Sequence, residues 1–337
     1  RELARDYLGL AAKLPKSLPK SPTRKLSKDH GNPSKRLRKW LPKLRVSFNS
    51  VKNYFHLLQL HSVELVVRIL VQNYLMKLIQ ISDTHLTPFN HDLYGLNPAK
   101  NLEACVESIN KFHSDSELCV ITGDLTNGGD NASYLDMRKI LQKLKIPYHP
   151  LIGNHDQREI FSKVFPESSR DVNGFIQKGI KTTLGYIILL DTVEVGSDCG
   201  SFCEKRENWL NNKLAETDNS PVYIFMHHPP FDIGIPALDK IRIKKGTQII
   251  ENILKKFTNI KHIFFGHVHR NVSGSWFGIP FSAVRGTNHQ IQLNQKENFF
   301  LNYCHEPPSY SVILLEEKQT TVHYFDFLDK SFYKKMI

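Results

Sequence analysis

Five short polar motifs, each directly after a run of apolar residues, constrain this chain more than any other feature. The motifs are Asp83-Thr84-His85, Gly123-Asp124, Gly153-Asn154-His155-Asp156, His227-His228 and His267-Val268-His269. Short apolar runs bounded by polar residues are typical of buried strands. Because ligands bind at the carboxyl ends of strands in open α/β sheets, we expect the five motifs to converge at one rim.

Short apolar runs alternate with segments of helical periodicity from Met76 onward. The predicted core strands are Lys77–Ser82, Leu118–Thr122, Tyr148–Ile152, Val222–His227 and His262–Gly266. The predicted helices lie near Pro98–Phe112, Ala132–Leu144, Glu204–Ala215 and Thr247–Phe257. Further strands are predicted at Asn173–Gln177, Tyr186–Leu190, Val272–Trp276, Pro280–Val284, Ser311–Leu315 and Thr320–Phe325. This alternation predicts an α/β architecture of two packed mixed sheets with helices on the outside.

The residue types in the five motifs suit a metal centre. Imidazole and carboxylate are ligands that Zn, Mn and Fe accept, and the alternate spacing of DxH and HxH lets both side chains of an extended segment reach neighbouring metal positions. Asp124 is a natural bridge, because one carboxylate can offer an oxygen to each of two ions. Each motif alone is more often a turn or a satisfied polar pair, so the prediction depends on the whole set.

The motif order DxH, GD, GNH followed by an acid, a later His and GHxH resembles the calcineurin-like metallophosphoesterase superfamily. The resemblance covers Met76 to about Phe327. It implies a four-layer αββα sandwich and two divalent metal ions, which would be Mn, Fe or Zn. It further implies that one ion is held by Asp83, His85, Asp124 and His269, and the other by Asp124, Asn154, His227 and His267.

The resemblance also implies how such a centre would work. Two ions roughly 3.5 to 4 Å apart lower the pKa of a bridging water, so the predicted reaction is attack of a metal-bridging hydroxide on phosphorus. His155, outside the metal cage, is the candidate that supplies a proton to the leaving alkoxide. Asp156 is predicted either to orient that imidazole or to cap a helix near Gln157. Asn154, His155 and His289 are candidate substrate contacts, with a structural role left open for His289.

Differences from sister families narrow the expected reaction. Serine/threonine protein phosphatases have Asp-Arg-Gly at the GD motif and Glu after GNH, whereas this chain has Asp124-Leu125 and Asp156. Asn127 stands where purple acid phosphatases have a Tyr. The chain looks most like class III cyclic nucleotide phosphodiesterases of the Icc type and bacterial glycerophosphodiesterases. We therefore expect hydrolysis of 3′,5′-cyclic nucleotides, with cAMP favoured, and glycerophosphodiesters as the alternative.

The positive charge of the chain is confined to its first part. Residues 1–75 contain 16 of the 45 Lys and Arg but 4 of the 33 Asp and Glu, which leaves 29 of each in the remainder. Their composition predicts a basic, largely disordered extension, with an amphipathic helix possible at 52–75. Two hypotheses stand for this segment: upstream sequence translated ahead of Met76, or an arm that binds nucleic acid or an anionic surface. Residues 76–337 are the predicted catalytic domain.

Two rival functions and the cellular setting complete the expectations. A non-catalytic scaffold on this fold and a DNA nuclease of the break-repair type are the alternatives to a phosphodiesterase with a small diester substrate. Five cysteines without a CxxC pair predict free thiols and a cytoplasmic protein. The most apolar stretch, Leu57–Leu75, is interrupted by charged and polar residues, so no membrane span is predicted. The sequence leaves the oligomeric state open, with a homodimer as one option.

Overall fold

The computed structural model describes residues 75–168, 170–296 and 300–328. The predicted basic extension and the helix at 52–75 therefore lie outside the described residues, apart from Leu75. Among the residues described, no helix is long and apolar enough to cross a membrane. The boundary of the catalytic domain at Met76 stays a prediction.

The described chain alternates strands and helices as the sequence predicted. The strands are β1 (Met76–Ile81), β2 (Leu118–Thr122), β3 (Tyr148–Leu151), β4 (Lys178–Thr182), β5 (Gly185–Leu190), β6 (Gly200–Ser201), β7 (Val222–Met226), β8 (Ile243–Lys245), β9 (Ile260–Phe265), β10 (Val272–Trp276), β11 (Ile279–Ala283), β12 (Gln290–Ile291), β13 (Tyr303–Cys304), β14 (Ser309–Leu315) and β15 (Thr320–Asp326). The helices are α1 (Pro98–Phe112), α2 (Asn131–Leu141), α3 (Arg158–Val164), α4 (Glu204–Ala215), α5 (Pro236–Asp239) and α6 (Thr247–Lys256), with a 3-10 turn at Pro88–Asn90.

Most of these strands form two mixed sheets. The first has the order β15-β14-β1-β2-β3, in which β1, β2 and β3 run parallel and β14 pairs antiparallel with β1 and β15. The second has the order β10-β11-β9-β7-β5-β4, in which β5, β7, β9 and β11 run parallel and β4 and β10 are antiparallel edge strands. Two small pairs, β6 with β8 and β12 with β13, lie outside these sheets.

Helices cover the outer face of each sheet. Ile79 and Ile81 of β1 belong to a buried core with apolar residues of α1, α2 and α3. A second core joins β5, β7 and β9 to α4 and α6. Because side chains alternate along a strand, Leu78 and Gln80 face the other sheet, and the Gln80 side-chain amide donates to the Phe265 carbonyl at 3.0 Å. The predicted four-layer αββα sandwich is confirmed.

The segment Asn173–Gln177, predicted as a strand, is instead a turn, so this prediction was wrong. The Asp171 carboxylate accepts hydrogen bonds from the backbone of Asn173 at 2.8 Å and Phe175 at 2.9 Å. Gly174 supplies the left-handed backbone, with φ of 86°. Such side-chain bonds to nearby backbone amides compete with strand pairing, and the strand begins only at Lys178.

His262 on β9, away from the rim, makes the stability of the fold depend on pH. Its ring stacks on Phe264 at 4.1 Å, its Nε2 lies 2.9 Å from Ser282 Oγ, and its Nδ1 has no hydrogen-bond partner among the described residues. Burial lowers the pKa of His262 to about 4 from an ordinary 6.5. The unfolded imidazole therefore binds a proton between these values and the folded one does not, so stability falls as pH drops through this window.

We expect His262→Gln to lose less stability than the wild type when the pH falls from 7 to 4.5. Two pH units separate 6.5 from 4.5, so at about 1.36 kcal/mol per unit the difference in the free energy of unfolding is roughly 2.5 kcal/mol. Urea unfolding of both proteins at the two pH values measures it. Identical pH dependence in the two proteins would show that His262 is not the group responsible.

Candidate metal centre

The five motifs lie in the loops after β1, β2, β3, β7 and β9, so both sheets contribute to one rim. The loop after β1 runs beside the loop after β2. Asp83 N donates to Gly123 O at 3.1 Å, and His85 N donates to Asp124 O at 2.9 Å. The loop after β9 is joined to the first sheet through the bond from His267 N to Asp83 Oδ1 at 3.0 Å. The motifs therefore converge as the sequence predicted.

Five of the seven candidate ligands have left-handed backbone, which is uncommon for residues other than glycine. The φ angles are 50° at Asp83, 45° at His85, 46° at Asp124, 69° at His267 and 49° at His269. Such conformations cost on the order of 1 kcal/mol or more each and persist where the surrounding structure fixes them. The backbone of these loops is therefore held in the shape that directs the donor side chains to one place.

The first group of donors contains the four residues that the resemblance assigns to one ion. Their ligand atoms, from Asp83, His85, Asp124 and His269, lie within 4.8 Å of one another and all four residues are buried. His85 Nε2 lies 3.1 Å from His269 Nε2 and 3.6 Å from Asp124 Oδ2. His269 Nε2 lies 3.6 Å from Asp83 Oδ1.

The second group meets at the side-chain oxygen of Asn154. That oxygen lies 3.1 Å from His227 Nε2 and 3.1 Å from His267 Nδ1. His227 Nε2 also lies 3.4 Å from Asp124 Oδ2, the same oxygen that faces His85 in the first group. The structure thus brings all seven candidate ligands together in two groups that share the Asp124 carboxylate.

Hydrogen bonds behind two of the imidazoles fix which of their nitrogens faces the site. His227 Nδ1 lies 2.7 Å from Thr122 O, and His269 Nδ1 lies 2.9 Å from His289 O. A carbonyl only accepts, so each Nδ1 donates and leaves the Nε2 lone pair directed at the other donors. Buried nitrogen and oxygen lone pairs that converge in this way fit divalent Zn, Mn or Fe.

The electrostatics of the cluster also fit a cation. Burial would raise the pKa of Asp124, but His227 and His85 hold it well below its ordinary value. Burial raises the pKa of Asp83. Burial lowers the pKa of His267 to about 3, whereas Asp124 raises that of His227 to about 9 against the effect of burial. A divalent ion that replaces the protons would satisfy both carboxylates and the neutral imidazoles.

His155 lies beside the donors and faces the same cavity. Its backbone N–H donates to Asp124 Oδ1 at 3.0 Å, and its Nδ1 lies 2.9 Å from the Asn127 carbonyl. The ring stands edge-on to His85 at 4.7 Å. Burial opposes a charge on His155, but Asp124 and the Asn127 carbonyl raise its pKa. Since Nδ1 donates to Asn127, Nε2 is the nitrogen that can exchange a proton in the cavity.

Asp156 has neither of the two roles considered for it, and both expectations were wrong. Its carboxylate accepts from the backbone of Gly153 at 2.8 Å, Leu125 at 3.0 Å and Thr126 at 3.2 Å, and from the Tyr134 hydroxyl at 2.8 Å. The His155 ring bonds to Asn127 instead, and Gln157, at the N-cap of α3, makes no side-chain capping bond. Asp156 therefore ties the loop after β2 to the loop after β3.

The protonation of Asp156 reflects this buried position. Burial and the nearby Asp124 raise its pKa to about 6, against the opposing effect of the backbone donors.

Tyr134, whose hydroxyl also accepts from Gln157 N at 2.9 Å, was not singled out in the sequence. Its position on α2 offers no motif, and only the folded structure brings it to the loop.

His289 and His228 flank the two groups. The His289 ring lies 5.0 Å from that of His85 and 4.7 Å from that of His269, and it lines the cavity. Its contact with a substrate stays a prediction. His228 is buried, and its Nδ1 lies 2.9 Å from Thr192 Oγ1. Its ring is 4.6 Å from that of His267, which places it behind the second group.

A cavity of about 260 Å³ opens beside the donor groups. It is lined on one side by His85, Asp124, Asn154, His155, His267 and His269. Tyr94, Asp198 and Tyr303 also line it, and none of them was predicted from the sequence. These residues come from loops and from the β12–β13 pair, which carry no recognisable motif.

Glycines beside the donors leave no room for a side chain. A Cβ added at Gly153 would collide with the Asp124 carboxylate and lie 2.7 Å from His227 Cε1. A Cβ at Gly128, in the loop after β2, would meet nothing within 4 Å. We expect Gly153→Ala to weaken metal binding roughly 10- to 100-fold, which is the usual loss when residues that orient metal ligands are mutated. We expect Gly128→Ala to leave metal binding unchanged. Titration of both variants with Mn(II) tests this, and equal affinities would contradict it.

Comparisons with known proteins agree with this geometry. A family profile described as calcineurin-like phosphoesterase matches residues 76–271. A probable cyclic nucleotide phosphodiesterase of Rhodopseudomonas palustris is 35% identical over 75% of this chain and 93% of its own length. A probable glycerophosphodiester phosphodiesterase GpdQ of Arcobacter nitrofigilis is 28% identical over 76% of this chain and 94% of its own. The structure of a dimetal phosphatase from Danio rerio is similar with a TM-score of 0.53 and 14% identity, covering 73% of this chain and 98% of that one.

The sandwich fold and the buried donor cluster define the class as a metallophosphoesterase, a kind of protein that uses divalent metal ions. This chain belongs to the calcineurin-like phosphoesterase family. The resemblance drawn from the five motifs is thereby confirmed. The roles of the individual ligands, the metals and the cytoplasmic location stay predictions.

Proposed function

We propose that this protein hydrolyses 3′,5′-cyclic nucleotides, with cAMP as the favoured substrate, at a centre of two divalent ions. The coarser assignment, a metal-dependent phosphoric diester hydrolase, follows from the family and from relatives named as phosphodiesterases. The observation that carries the two-ion proposal is the position of Asp124. Its Oδ2 lies 3.6 Å from His85 Nε2 and 3.4 Å from His227 Nε2, so one carboxylate serves both donor groups.

The chain's own residues divide the work at this centre. When bound, two divalent ions would supply Lewis-acid activation of water and of the phosphoryl oxygens. The proposed ligands are Asp83, His85, Asp124 and His269 for one ion and Asp124, Asn154, His227 and His267 for the other. His155 Nε2 is the proposed proton donor to the leaving oxygen, and the bond between His155 Nδ1 and the Asn127 carbonyl supports this choice of nitrogen. Asp156 holds the loops that carry Asp124 and Asn154.

Two observations favour cyclic nucleotides over glycerophosphodiesters. The relative named as a cyclic nucleotide phosphodiesterase is 35% identical, against 28% for the glycerophosphodiesterase relative of similar coverage. The cavity also has an aromatic side, formed by Tyr94 and Tyr303, that a glycerol or ethanolamine group does not need. Glycerophosphodiesters are the second candidate, on the strength of the second relative.

The other rivals are less well supported. A scaffold without catalysis does not require the complete set of seven donors, six of them buried, that this chain has. A nuclease draws much of its affinity from neutralising phosphates, whereas residues 76–337 contain equal numbers of basic and acidic side chains. DNA binding would therefore fall to residues 1–75.

A turnover panel after reconstitution with Mn(II), Fe(II) or Zn(II) tests the proposal. We expect two ions per chain and the highest kcat/KM on cAMP, followed by cGMP, with glycerophosphoethanolamine at least about tenfold lower. All substrates are measured with the same metal-loaded sample, so the fraction of active protein does not affect the ratios of kcat/KM. A preference for glycerophosphoethanolamine would establish the second candidate, and a protein that takes up no metal would favour the scaffold.

A further inference from the structure

The cavity beside the donor groups has two chemically different ends. One end carries the metal donors and His155, which suit a phosphate. The other end is formed by Tyr94 and Tyr303, which lie beyond His289, and Leu238, Ile241, Ile291 and Leu301 also line the cavity. A ligand that fills both ends combines an anionic group with a large apolar one.

The apolar end contains two tyrosines stacked on each other. The rings of Tyr94 and Tyr303 have centroids 4.3 Å apart and an interplanar angle of 21°. The two residues are about half exposed, at 46% and 51% relative exposure. Two stacked rings that line a cavity and keep about half of their surface uncovered offer a flat face to a third ring.

The position of Tyr94 is enforced by a tight turn. Tyr94 and Gly95 both have left-handed backbone, with φ of 54° and 77°. Leu93 and Leu96 close the turn with reciprocal backbone hydrogen bonds of 2.7 and 3.1 Å. A bulky residue in this conformation is strained, so the turn presents an aromatic ring at a position where Asn or Gly would be easier to accommodate.

The tyrosine pair is connected to the metal donors through His289. The His289 ring lies 5.0 Å from His85 on one side and stands edge-on to Tyr94 at 4.7 Å on the other. The His289 carbonyl accepts from His269 Nδ1 at 2.9 Å. Tyr303 is held by the pairing of β13 with β12, opposite Ile291. The flat face is thus fixed relative to the place where a phosphate would bind.

We propose that Tyr94 and Tyr303 form a stacking platform for the base of a nucleotide whose phosphate lies at the metal donors. This inference rests on the proposed function and deepens it, because it names the part of the site that distinguishes nucleotides from other diesters. A parallel pair favours a planar base. A quaternary ammonium group is instead recognised by several rings arranged around it.

A matched pair of ligands isolates the base. AMP and ribose 5-phosphate share the sugar and the phosphate and differ in the adenine, so the ratio of their Kd values reports the contribution of the base alone. We expect metal-loaded wild-type protein to bind AMP about tenfold more tightly, which equals about 1.4 kcal/mol and lies within the range for base stacking on an aromatic side chain. Isothermal titration calorimetry at fixed ionic strength measures both constants.

Variants of Tyr303 test the platform directly. Tyr303→Ala is expected to bring the ratio close to one while the Kd of ribose 5-phosphate stays constant. Tyr303→Phe keeps the ring and is expected to keep the ratio. Leu293→Ala, which removes an exposed side chain after β12 that does not line the cavity, is the control for general effects on this region.

Each outcome separates the platform from the proposed function. A ratio near one in the wild type, or a tenfold ratio that survives in Tyr303→Ala, overturns the platform even if cAMP is hydrolysed. A ratio that depends on Tyr303 supports the platform even if the turnover panel rejects cyclic nucleotides. Tighter binding of phosphocholine than of AMP, lost in Tyr303→Ala, would overturn the assignment to a base.

Discussion

Asp124→Asn is expected to remove bound metal and phosphodiester turnover together. The amide keeps the size of the carboxylate, and its Oδ1 can still accept from His155 N, but it lacks the negative charge that both donor groups share. Metal activation of water and phosphoryl oxygens supplies several kcal/mol. At about 1.36 kcal/mol per factor of ten, kcat should fall at least roughly 10³-fold. Metal content per chain and turnover of cAMP measure both effects.

Asp130→Asn is the matched control for this substitution. Asp130 follows in the same loop and caps α2, accepting from Ser133 N at 2.9 Å. Asn caps helices about as well as Asp, so the control changes the charge of the loop without a cost in structure. Full metal occupancy and normal turnover in Asp124→Asn would refute the shared-carboxylate centre.

His155→Ala is expected to keep the metal and lose rate. The His155 backbone N–H, which donates to Asp124 Oδ1, survives the substitution, so the donor groups keep this support. Loss of a positioned general acid lowers kcat by about 10² to 10⁴. The loss should be greatest for substrates whose leaving alkoxide is strongly basic and smallest for p-nitrophenyl esters, whose leaving group departs without a proton.

The control for this variant is His91→Ala, which removes an exposed imidazole that does not line the cavity. It should match the wild type on every substrate. A loss of metal in His155→Ala, or a loss of rate that is equal for alkyl and p-nitrophenyl leaving groups, would contradict the role of proton donor.

The sequence was sufficient for the parts of the site that depend on strand ends. Asp83, Asp124 and His267 each follow a buried apolar run, and the sheet brings such ends together whatever the details of packing. The helices and strands of the core could be predicted for a different reason, since apolar residues recur at regular spacing along these segments. Asn173–Gln177 could not, because a single Asp171 side chain decides between turn and strand there.

The parts that depend on side-chain partners could not be read from the sequence. The Asp156 carboxylate has several backbone donors within reach, and only the packing of the loop after β2 against the loop after β3 decides which ones it accepts from. Tyr94 and Tyr303 are 209 positions apart and belong to no motif. Their stacking depends on a tight turn and a two-residue strand pair, neither of which leaves a periodic pattern.

The metal donors follow strands of both sheets of the sandwich. Metal binding is therefore linked to the stability of the contact between the two sheets. A divalent cation held by Asp83, in the loop after β1, and His269, in the loop after β9, would link the two sheets. Because the unfolded chain lacks this site, metal binding would raise the melting temperature as the ion concentration increases. Removal of the metal by a chelator should then lower the melting temperature and abolish turnover together. The melting temperature would therefore report how much metal the protein has bound.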